Sequence, residues 1–405
     1  MFRQYLTAGV VSCMAIVLMG QGCPSAGGGG GGGGGNGGQT TTGSQGLFDQ
    51  VWDDFDRNYS YFTYKNIDWD QLKATYRPEF AANLSADEFV DRLVPMLSEL
   101  SDWHVAVQRA DGTWVGTETE EIPNNYTTTP RNRYTLDGYQ TLGDNVIWHA
   151  WFENNLAYLR IDTLETGAWN GITDDDIETL FQTYADAAGM IIDIRPNSGG
   201  NENNAMRIMS RLIGAAVTYG YVETRDGPDH DDFDELVEKT LTPSTGTRFN
   251  GPVVGLIGRR CMSSAEWFTL MLRAAGAKLV GDTTRGASGN PREFGPLSNG
   301  VKYMLSTWIA YAAEETGGVG SEIEDHGIAP DVAIAPDNSF DGEHDYVVEE
   351  AITQLQAMID GLDDDDADDD DWPWEDDDCL YDCLADCDEG DGFCQDLCVE
   401  ICADF

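Results

Sequence analysis

A short apolar run followed by a helical pattern places the strongest constraint on how this chain can fold. The run spans residues 252–257, and apolar residues recur at helical spacing over 265–275. A run of this length is typical of a buried strand, so the stretch predicts a strand, a turn and a helix. Ser263 and Ser264 lie at the predicted helix start, where free N–H groups and the helix dipole stabilise negative charge. A hydroxyl there is well sited to act as a nucleophile.

The same order of strand and helix recurs along the chain. Strands are predicted over 155–161, 190–194 and 278–281, and helices over 172–187 and 204–213. This alternation predicts an α/β protein with a largely parallel core sheet.

The residues before this α/β part predict a small N-terminal helical domain over 47–104. Asp68 can cap one helix, and Ser85 and Glu88 form a capping box ahead of a run of apolar residues on one helical face. Short alternating runs then predict β-hairpins at the start of a second domain, 105–360.

The charge of the chain excludes some partners. The sequence has 72 acidic and 23 basic side chains, a net charge of −49, and no Lys or Arg after Lys302. Such a surface repels phosphate groups, so recognition of nucleic acid or anionic lipid headgroups is excluded as a main role. Solubility explains the charge most simply, and binding of a specific ligand is the alternative. The histidines show no metal-ligand spacing, so no metal or other cofactor is predicted.

The N-terminus predicts export. Residues 1–22 have a basic start, an apolar stretch and small residues at the end, a pattern typical of a signal peptide. Cys23 follows directly, which resembles a bacterial lipoprotein signal in which the Cys is lipidated. Residues 23–46 would then be a Gly-rich tether between the cell envelope and the folded domain, with the lipid as the only membrane contact. Plain secretion is the alternative.

The C-terminus predicts a separate cysteine-rich module. An acidic linker over 361–378, extended by like-charge repulsion, leads into residues 379–405. A spacing of four places each trio of cysteines on one helix face, which favours a helical hairpin joined by disulfides in an oxidising compartment. The pairing stays open, and metal capture by the thiols is the alternative. The six residues are Cys379, Cys383, Cys387, Cys394, Cys398 and Cys402.

Four segments occur in an order typical of one enzyme family. They are 99–104 (Glu-Leu-Ser-Asp-Trp-His), 192–200 (Ile-Asp-Ile-Arg-Pro-Asn-Ser-Gly-Gly), 263–266 (Ser-Ser-Ala-Glu) with 281–286 (Gly-Asp-Thr-Thr-Arg-Gly), and 323–331 (Ile-Glu-Asp-His-Gly-Ile-Ala-Pro-Asp). Together they resemble the C-terminal-processing and tricorn-core family of serine peptidases, over roughly residues 47–335. The resemblance implies a crotonase-like ββα core and hydrolysis of peptide bonds in a peptide or protein substrate.

The resemblance also implies catalytic roles. Ser263 matches the nucleophile because the family's Glu lies three residues after it, here Glu266, and Ser264 is the competing hydroxyl. One branch of the family activates the Ser with a Lys, but Ala287 stands at that position. The tricorn-like branch uses a His, and His104 matches it, with an imidazole that titrates where a general base at neutral pH should.

An acidic side chain should orient this His. Glu324 matches the family's Glu, while Asp325, Glu322 and Asp102 are neighbours that can take the same role. Trp103 stands where relatives often have Ser or Gly, which argues against an orienting contact relayed through a small side chain.

The backbone should bind the negative charge that develops on the substrate carbonyl. The N–H of Ser264 lies at the helix start, and the resemblance implies a second donor from Gly199 or Gly200. The span between His104 and residue 190 is too short for the PDZ domain that many relatives insert there.

Two other functions are compatible with the sequence. One is a catalytically inactive relative that binds a peptide or hydrophobic ligand, and the other is a surface adhesion or scaffold protein. The presence of Ser, His and Glu at the matching positions favours the peptidase. The sequence does not predict an oligomeric state.

The lipid anchor can be tested by substitution. We expect the Cys23→Ala protein to lose incorporation of a labelled fatty acid when it is expressed in a bacterial host, because Cys23 carries the acceptor thiol. Cys13→Ala, a change within the leader itself, is the matched control and should keep the label. Incorporation that persists in Cys23→Ala would contradict the anchor.

Overall fold

A computed structural model describes residues 43–118, 120–127, 132–314 and 316–367. The predicted signal peptide, Cys23 and the six C-terminal cysteines lie outside these ranges. The described residues up to Leu355 form one compact unit, and the described residues from Gln356 onward are helical and belong to a second unit. Within the described ranges, no helix combines the length and the apolar character needed to cross a bilayer.

The helices of the described residues account for the helical patterns in the sequence. They are α1 (Ser44–Asn58), α2 (Trp69–Tyr76), α3 (Ala86–Ser98), α4 (Thr166–Trp169), α5 (Asp174–Thr183), α6 (Glu202–Met209), α7 (Ser264–Ala274) and α8 (Tyr346–Ala367). Two predicted caps are confirmed. The side chain of Asp68 accepts the N–H of Gln71 at 2.9 Å, and Ser85 and Glu88 form their reciprocal capping box.

The last helix differs from the prediction. The sequence predicts an extended linker from residue 361, but α8 continues into this linker as far as Ala367. Repulsion between like charges four residues apart costs only a few tenths of a kcal/mol per pair. Extension of a helix that is already formed needs no new nucleation, so the helix can propagate into the acidic run.

The strands are mostly short. They are β1 (Ala106–Gln108), β2 (Trp114–Gly116), β3 (Gln140–Leu142), β4 (Ile147–Phe152), β5 (Leu156–Ile161), β6 (Gly189–Asp193), β7 (Val217–Thr224), β8 (Val237–Leu241), β9 (Val253–Ile257), β10 (Lys278–Gly281), β11 (Pro291–Phe294), β12 (Lys302–Ser306), β13 (Trp308–Ala313), β14 (Val319–Glu322) and β15 (Val332–Ala333).

The central sheet has the strand order β15-β10-β9-β6-β5-β4-β3. Pairing is parallel from β15 through β5, and β4 and β3 add an antiparallel hairpin. The prediction of a largely parallel core sheet is therefore confirmed. The strands β6 and β9 are buried along their whole length, which explains why both read as continuous apolar runs. Because these strands are parallel neighbours, the loops that follow them meet at one edge of the sheet.

The remaining strands form two smaller sheets of four strands each. Their orders are β11-β12-β1-β2 and β14-β13-β7-β8. Helices α1 to α3 share an aromatic and aliphatic core with β1 and β12, in which the ring of Phe55 stacks on Tyr303 with centroids 6.0 Å apart. Helices α5, α6 and α7 share a second core with the central sheet. The structure is thus a mixed α/β protein with several sheets.

The charged residues of the Asp-Ile-Arg segment form a buried lock. Arg195 donates to both carboxylate oxygens of Asp193, at 2.9 and 2.6 Å, and to both oxygens of Asp345, at 2.9 and 3.0 Å. The Arg195 side chain is only 2% exposed. The lock ties the end of β6 to the residue that precedes α8, so this part of the motif has a structural role.

Removal of the arginine should destabilise the protein strongly. Arg195→Met leaves Asp193 and Asp345 buried without their counter-charge, so we expect the free energy of unfolding to fall by about 3–5 kcal/mol. Arg77→Met, which breaks the more exposed pair with Asp49, should cost less than about 1 kcal/mol. Urea denaturation followed by circular dichroism measures both. Equal losses for the two variants would show that the lock is not specially important.

Candidate active site

Ser263 occupies a strained turn between β9 and α7. Its backbone has φ 56° and ψ −130°, a conformation that non-glycine residues rarely adopt and that costs on the order of 1–3 kcal/mol. Its N–H donates to the carbonyl of Ala287 at 2.7 Å, which holds the turn in place. The Ser263 hydroxyl makes no capping bond to the helix, although the residue stands at the N-cap position. N-capping therefore does not explain the serine.

Glu266 fixes the loop that holds Ser263. One carboxylate oxygen accepts Thr284 Oγ1 at 2.7 Å and the N–H of Gly286 at 2.6 Å, and the other accepts the N–H of Ala287 at 2.9 Å and Ser288 Oγ at 2.7 Å. Burial raises the pKa of Glu266, while these hydrogen bonds favour its charged form. The family-like spacing between Ser263 and Glu266 thus has a physical basis, since Glu266 shapes the loop that supports the serine.

The two predicted glycines lie against the serine turn. A Cβ atom on Gly199 would come within 2.8 Å of the Met262 carbonyl, 2.9 Å of Ser263 Cβ and 3.1 Å of the Ser264 nitrogen. Both glycines have positive φ, 101° for Gly199 and 135° for Gly200. Any side chain at residue 199 would fill the space beside the Ser263 side chain and the Ser264 N–H.

Some of the polar groups at this turn are already engaged. The Ser264 hydroxyl donates to the Gly200 carbonyl at 2.7 Å, and the Gly199 N–H donates to Asn197 Oδ1 at 2.8 Å. The backbone N–H groups of Ser264 and Gly200 have no acceptor among the described residues. The structure therefore brings Ser263, Ser264, Gly199 and Gly200 together as the sequence predicted.

The segment that carries His104 packs against the loop that supports Ser263. The preceding ring, Trp103, packs under the guanidinium of Arg285 at 4.3 Å, and the Arg285 N–H donates to the Cys261 carbonyl at 2.8 Å. No hydrogen bond joins His104 to Ser263, although both are described. The segment that carries His104 thus meets the serine turn through Arg285.

The His104 side chain is nearly buried. Its backbone N–H donates to Asp102 Oδ1 at 2.7 Å, and its Nδ1 atom has no partner among the described residues. Burial lowers the pKa of the imidazole, Asp102 opposes this effect, and the positive charge of Arg285 adds to it. The imidazole is therefore mainly neutral at pH 7, the form that can accept a proton.

Glu324 is buried behind the same loop. Its Oε2 atom accepts the N–H of Ser288 at 3.3 Å, and its Oε1 atom lies 3.4 Å from the ammonium of Lys65. Burial and the charge of Asp102 raise the pKa of Glu324 well above its usual range, and Lys65 opposes them. No direct hydrogen bond links Glu324 to His104 among the described contacts.

The other two acidic candidates differ in their surroundings. Asp325 is half exposed and accepts both of its bonds from Lys65, at 2.7 and 2.8 Å. Burial, and then the charges of Asp325 and Glu223, raise the pKa of Glu322 to about 7. Asp325 is thus committed to Lys65, whereas Asp102 and Glu324 each keep one buried oxygen without a hydrogen-bond donor in the described residues.

Sequence reasoning missed three residues that surround these carboxylates. Burial raises the pKa of the phenols of Tyr59 and Tyr61 well above its usual range. The negative charges of Asp102 and Glu324 raise both values further. Lys65 supplies the positive charge. Burial alone would lower the pKa of Lys65, but Glu324 and Asp325 outweigh it and raise the pKa overall. No local pattern marks these residues, since they read as part of an apolar helical region.

The remaining cysteine and histidines show no site of their own. Burial raises the pKa of the Cys261 thiol to about 12, and its sulfur lies 3.1 Å from the carbonyl of Ile194, so it is an inert core residue. Among the described residues, no group of three or more His, Cys, Asp or Glu side chains is arranged to hold a metal ion.

Comparison with known proteins identifies the class of this fold and site. The model of peptidase family S41 matches residues 155–334, and that of the tricorn protease C1 domain matches residues 44–98. Residues 155–334 therefore belong to peptidase family S41, the family that the motifs predicted, and the chain is a serine-type peptidase. A comparison with curated protein sequences found no significant match.

Solved structures share the fold over nearly their whole length. A structure described as a peptidase from Parabacteroides merdae ATCC 43184 is similar with a TM-score of 0.66 at 25% identity, and the match covers 78% of this chain and 97% of the other. Mature CPAF has a TM-score of 0.59 at 14% identity, with 79% and 98% covered. A lipoprotein from Streptococcus agalactiae has a TM-score of 0.50 at 15% identity, with 78% and 97% covered.

The contribution of Lys65 to the free energy of unfolding should depend on pH, because Lys65 lies among buried acidic side chains. Burial and the charges of Asp325 and Glu223 raise the pKa of Glu322 to about 7, and Lys65 opposes this shift, so Glu322 is mainly charged at pH 8 and mainly protonated at pH 5. The pKa of Lys65 is itself raised, so Lys65 is a cation at both pH values. Lys65→Met should therefore lower the free energy of unfolding by about 3 kcal/mol at pH 8. At pH 5 the loss should be less than half as large, because protonated carboxyls no longer repel one another.

The matched control is Lys302→Met. Lys302 pairs with Glu293 at 2.8 Å, and both side chains are well exposed, so the loss should stay below about 1 kcal/mol at either pH. Urea denaturation at the two pH values measures both variants. A loss for Lys65→Met that is equal at pH 5 and pH 8 would argue against its role as counter-charge.

Proposed function

We propose that this chain is an exported serine peptidase in which Ser263 is the nucleophile and His104 the general base. The observation that carries the proposal is the strained turn at Ser263, where a serine with φ 56° presents a hydroxyl that makes no capping bond. Strain of this kind is typical of nucleophiles that are held at a sharp turn between a strand and a helix. The substrate is a peptide or a protein.

Contacts at the turn favour Ser263 over Ser264. The Ser264 hydroxyl donates to the Gly200 carbonyl, so it is occupied in holding the glycine turn. The Ser263 hydroxyl makes no hydrogen bond to the described residues and its side chain is only partly buried. It is thus free to lose its proton to a base.

His104 is the base that the surroundings favour. Ala287 occupies the position of the lysine used by the other branch, and it is buried. Burial, together with the like charges of Arg259 and Arg260, lowers the pKa of Arg285 only to about 10, so Arg285 remains a cation at neutral pH. His104 is the neighbouring group that is neutral at pH 7.

In the proposed reaction, His104 accepts the hydroxyl proton while Ser263 Oγ attacks the substrate carbonyl carbon. The N–H of Ser264 and that of Gly200 stabilise the oxyanion, since the Gly199 N–H is already bound to Asn197. The C–N bond then breaks, and the leaving amine takes the proton from His104. Water releases the acyl group in the same way, with His104 again as the base.

Glu324 is proposed to orient His104, with Asp102 as the second candidate. Both carboxyls are buried, and Asp102 already accepts the backbone N–H of His104. A bulky Trp103 at the preceding position leaves no small polar side chain to relay the contact. A charged group behind the imidazole would stabilise the imidazolium that forms in each step.

The finer features of the protein are part of the same proposal. They are a crotonase-like arrangement of the core, with an N-terminal helical domain, and lipidation of Cys23 in the bacterial cell envelope. They also include a disulfide-rich hairpin over 379–405. Support for the anchor comes from the leader sequence alone.

An inactive, peptide-binding relative is the second candidate. Its support is the missing hydrogen bond between His104 and Ser263, together with Trp103 at a position that is usually small. Catalytic hydrogen bonds are often long or poorly aligned without substrate, so this geometry is compatible with an active enzyme too.

Labelling with a fluorophosphonate separates the two candidates. We expect the probe to label the unmodified protein and to leave Ser263→Ala unlabelled. The labelling rate of His104→Ala should fall by about 100-fold or more, because the base is lost. Ser264→Ala is the matched control and should still be labelled. Equal labelling of all four proteins, or none of any, would overturn the assignment.

A further inference from the structure

We infer that the site selects substrates with an acidic side chain close to the scissile bond, bound by Arg259, Arg260 and Arg285. The inference rests on the proposed function of Ser263. It concerns the substrate class, whereas the nucleophile and base are tested separately above. Three arginines beside one turn are unusual in a chain with 72 acidic and 23 basic side chains.

The three arginines lie on the two loops next to Ser263. Arg259 and Arg260 come directly after the residue that follows β9, and Arg260 immediately precedes Cys261. The Arg285 Nε donates to the Arg259 carbonyl at 2.8 Å, and Arg259 Nη1 donates to the Thr284 carbonyl at 3.0 Å. The arginines therefore join the two loops that hold Ser263.

None of the three has an acidic partner among the described residues. Their contacts are backbone carbonyls and aromatic rings, with Arg285 over Trp103 at 4.3 Å and Arg260 over Tyr126 at 5.9 Å. The Nε atom of Arg260 is buried and has no acceptor in the described part of the chain. The positive charge at this position is thus not neutralised by an ion pair.

Among the described residues, other buried arginines are paired with a carboxylate, except Arg225, which donates its hydrogen bonds to backbone carbonyls. Arg160 binds Asp162, and Arg195 binds Asp193 and Asp345. A buried guanidinium without a carboxylate is costly, and Arg285 lies next to two further arginines without an acidic partner and close to the candidate nucleophile, which favours a binding role.

Electrostatics agrees with this geometry. Burial lowers the pKa of Arg285 to about 10, Glu266 opposes the shift, and the like charges of Arg259 and Arg260 add to it. Both oxygens of Glu266 are occupied by the loop from Thr284 to Ser288, so this carboxylate is not available as a partner. A substrate carboxylate would relieve the mutual repulsion and would find planar donors that match its two oxygens.

Two of the three arginines are accessible to a substrate. Arg259 and Arg260 are partly exposed, as is Trp103, whereas Arg285 is buried. The flat ring of Trp103 fixes the guanidinium of Arg285, which reduces the entropy lost when an anion binds. Trp103, which replaces the small residue that is usual in the family, would thus hold Arg285 in place for binding.

Cleavage of a peptide library tests the inference. Peptides derived from a whole proteome are digested with the full chain, and the cleavage sites are read by mass spectrometry. We expect Asp and Glu to be enriched at one position within two or three residues of the scissile bond. Two peptides that differ only by Glu or Gln at that position should then differ in kcat/KM by roughly 10–100-fold, the range for a hydrogen bond to a charged group.

Substitution shows whether the arginines cause the preference. In Arg260→Gln the ratio of kcat/KM for the Glu and Gln peptides should fall toward one, and added salt should weaken the preference of the unmodified protein. Arg292→Gln, an exposed change on β11, is the matched control and should keep the ratio. Because the ratio compares two substrates of one protein, a general loss of activity does not affect it.

The outcomes distinguish this inference from the proposed function. If Ser263 is labelled and both peptides are cleaved equally well, the peptidase assignment stands and the acidic preference is wrong. If no peptide is cleaved, binding of the Glu and Gln peptides is measured by fluorescence anisotropy. Tighter binding of the Glu peptide that is lost in Arg260→Gln supports the acidic subsite even in an inactive protein. Equal binding overturns it.

Discussion

The hydrogen bonds accepted by Glu266 are the interaction on which the candidate site depends. One buried carboxylate takes four donors from residues 284–288, and that loop in turn supplies the carbonyl that binds the Ser263 N–H. A serine with positive φ relaxes unless its surroundings hold it. The loop also carries Arg285 and the Ser288 N–H that reaches Glu324. Glu266 therefore holds the loop that contacts Ser263 and Glu324 and that carries Arg285.

The second constraint is the group of buried acids behind His104. Asp102 and Glu324 lie in one region with the hydroxyls of Tyr59 and Tyr61, and Lys65 is the cation that pairs with Glu324 there. Burial raises the pKa of Glu324, and repulsion by the charge of Asp102 raises it further, while Lys65 opposes both effects. Lys65 comes from the loop between α1 and α2, which makes the N-terminal helical part a contributor to the site.

The sequence predicted the parts of this arrangement that leave a local signal. The strand and helix around Ser263, the capping box at Ser85 and the glycines that approach the serine turn all have short-range patterns. The partners of the buried acids could not be found in this way. Lys65 meets Glu324 across 259 positions of sequence, and only the packing of the helices on the sheets decides that contact. The sequence pattern did not predict that the acidic run begins as a helix, because charge repulsion was given more weight than helix propagation.

In the proposed mechanism, neighbouring charges of opposite sign act on the pKa of His104. Burial and the positive charge of Arg285 lower the pKa of the imidazole, whereas the negative charge of Asp102 raises it. These effects make His104 a weak base, because the imidazolium that forms when it accepts a proton would be repelled by the guanidinium of Arg285. A substrate carboxylate bound to the arginines would offset that charge and make His104 a stronger base at the moment the substrate is in place. Substrate charge would then contribute to the rate as well as to binding, because the stabilisation is greatest when His104 carries the proton.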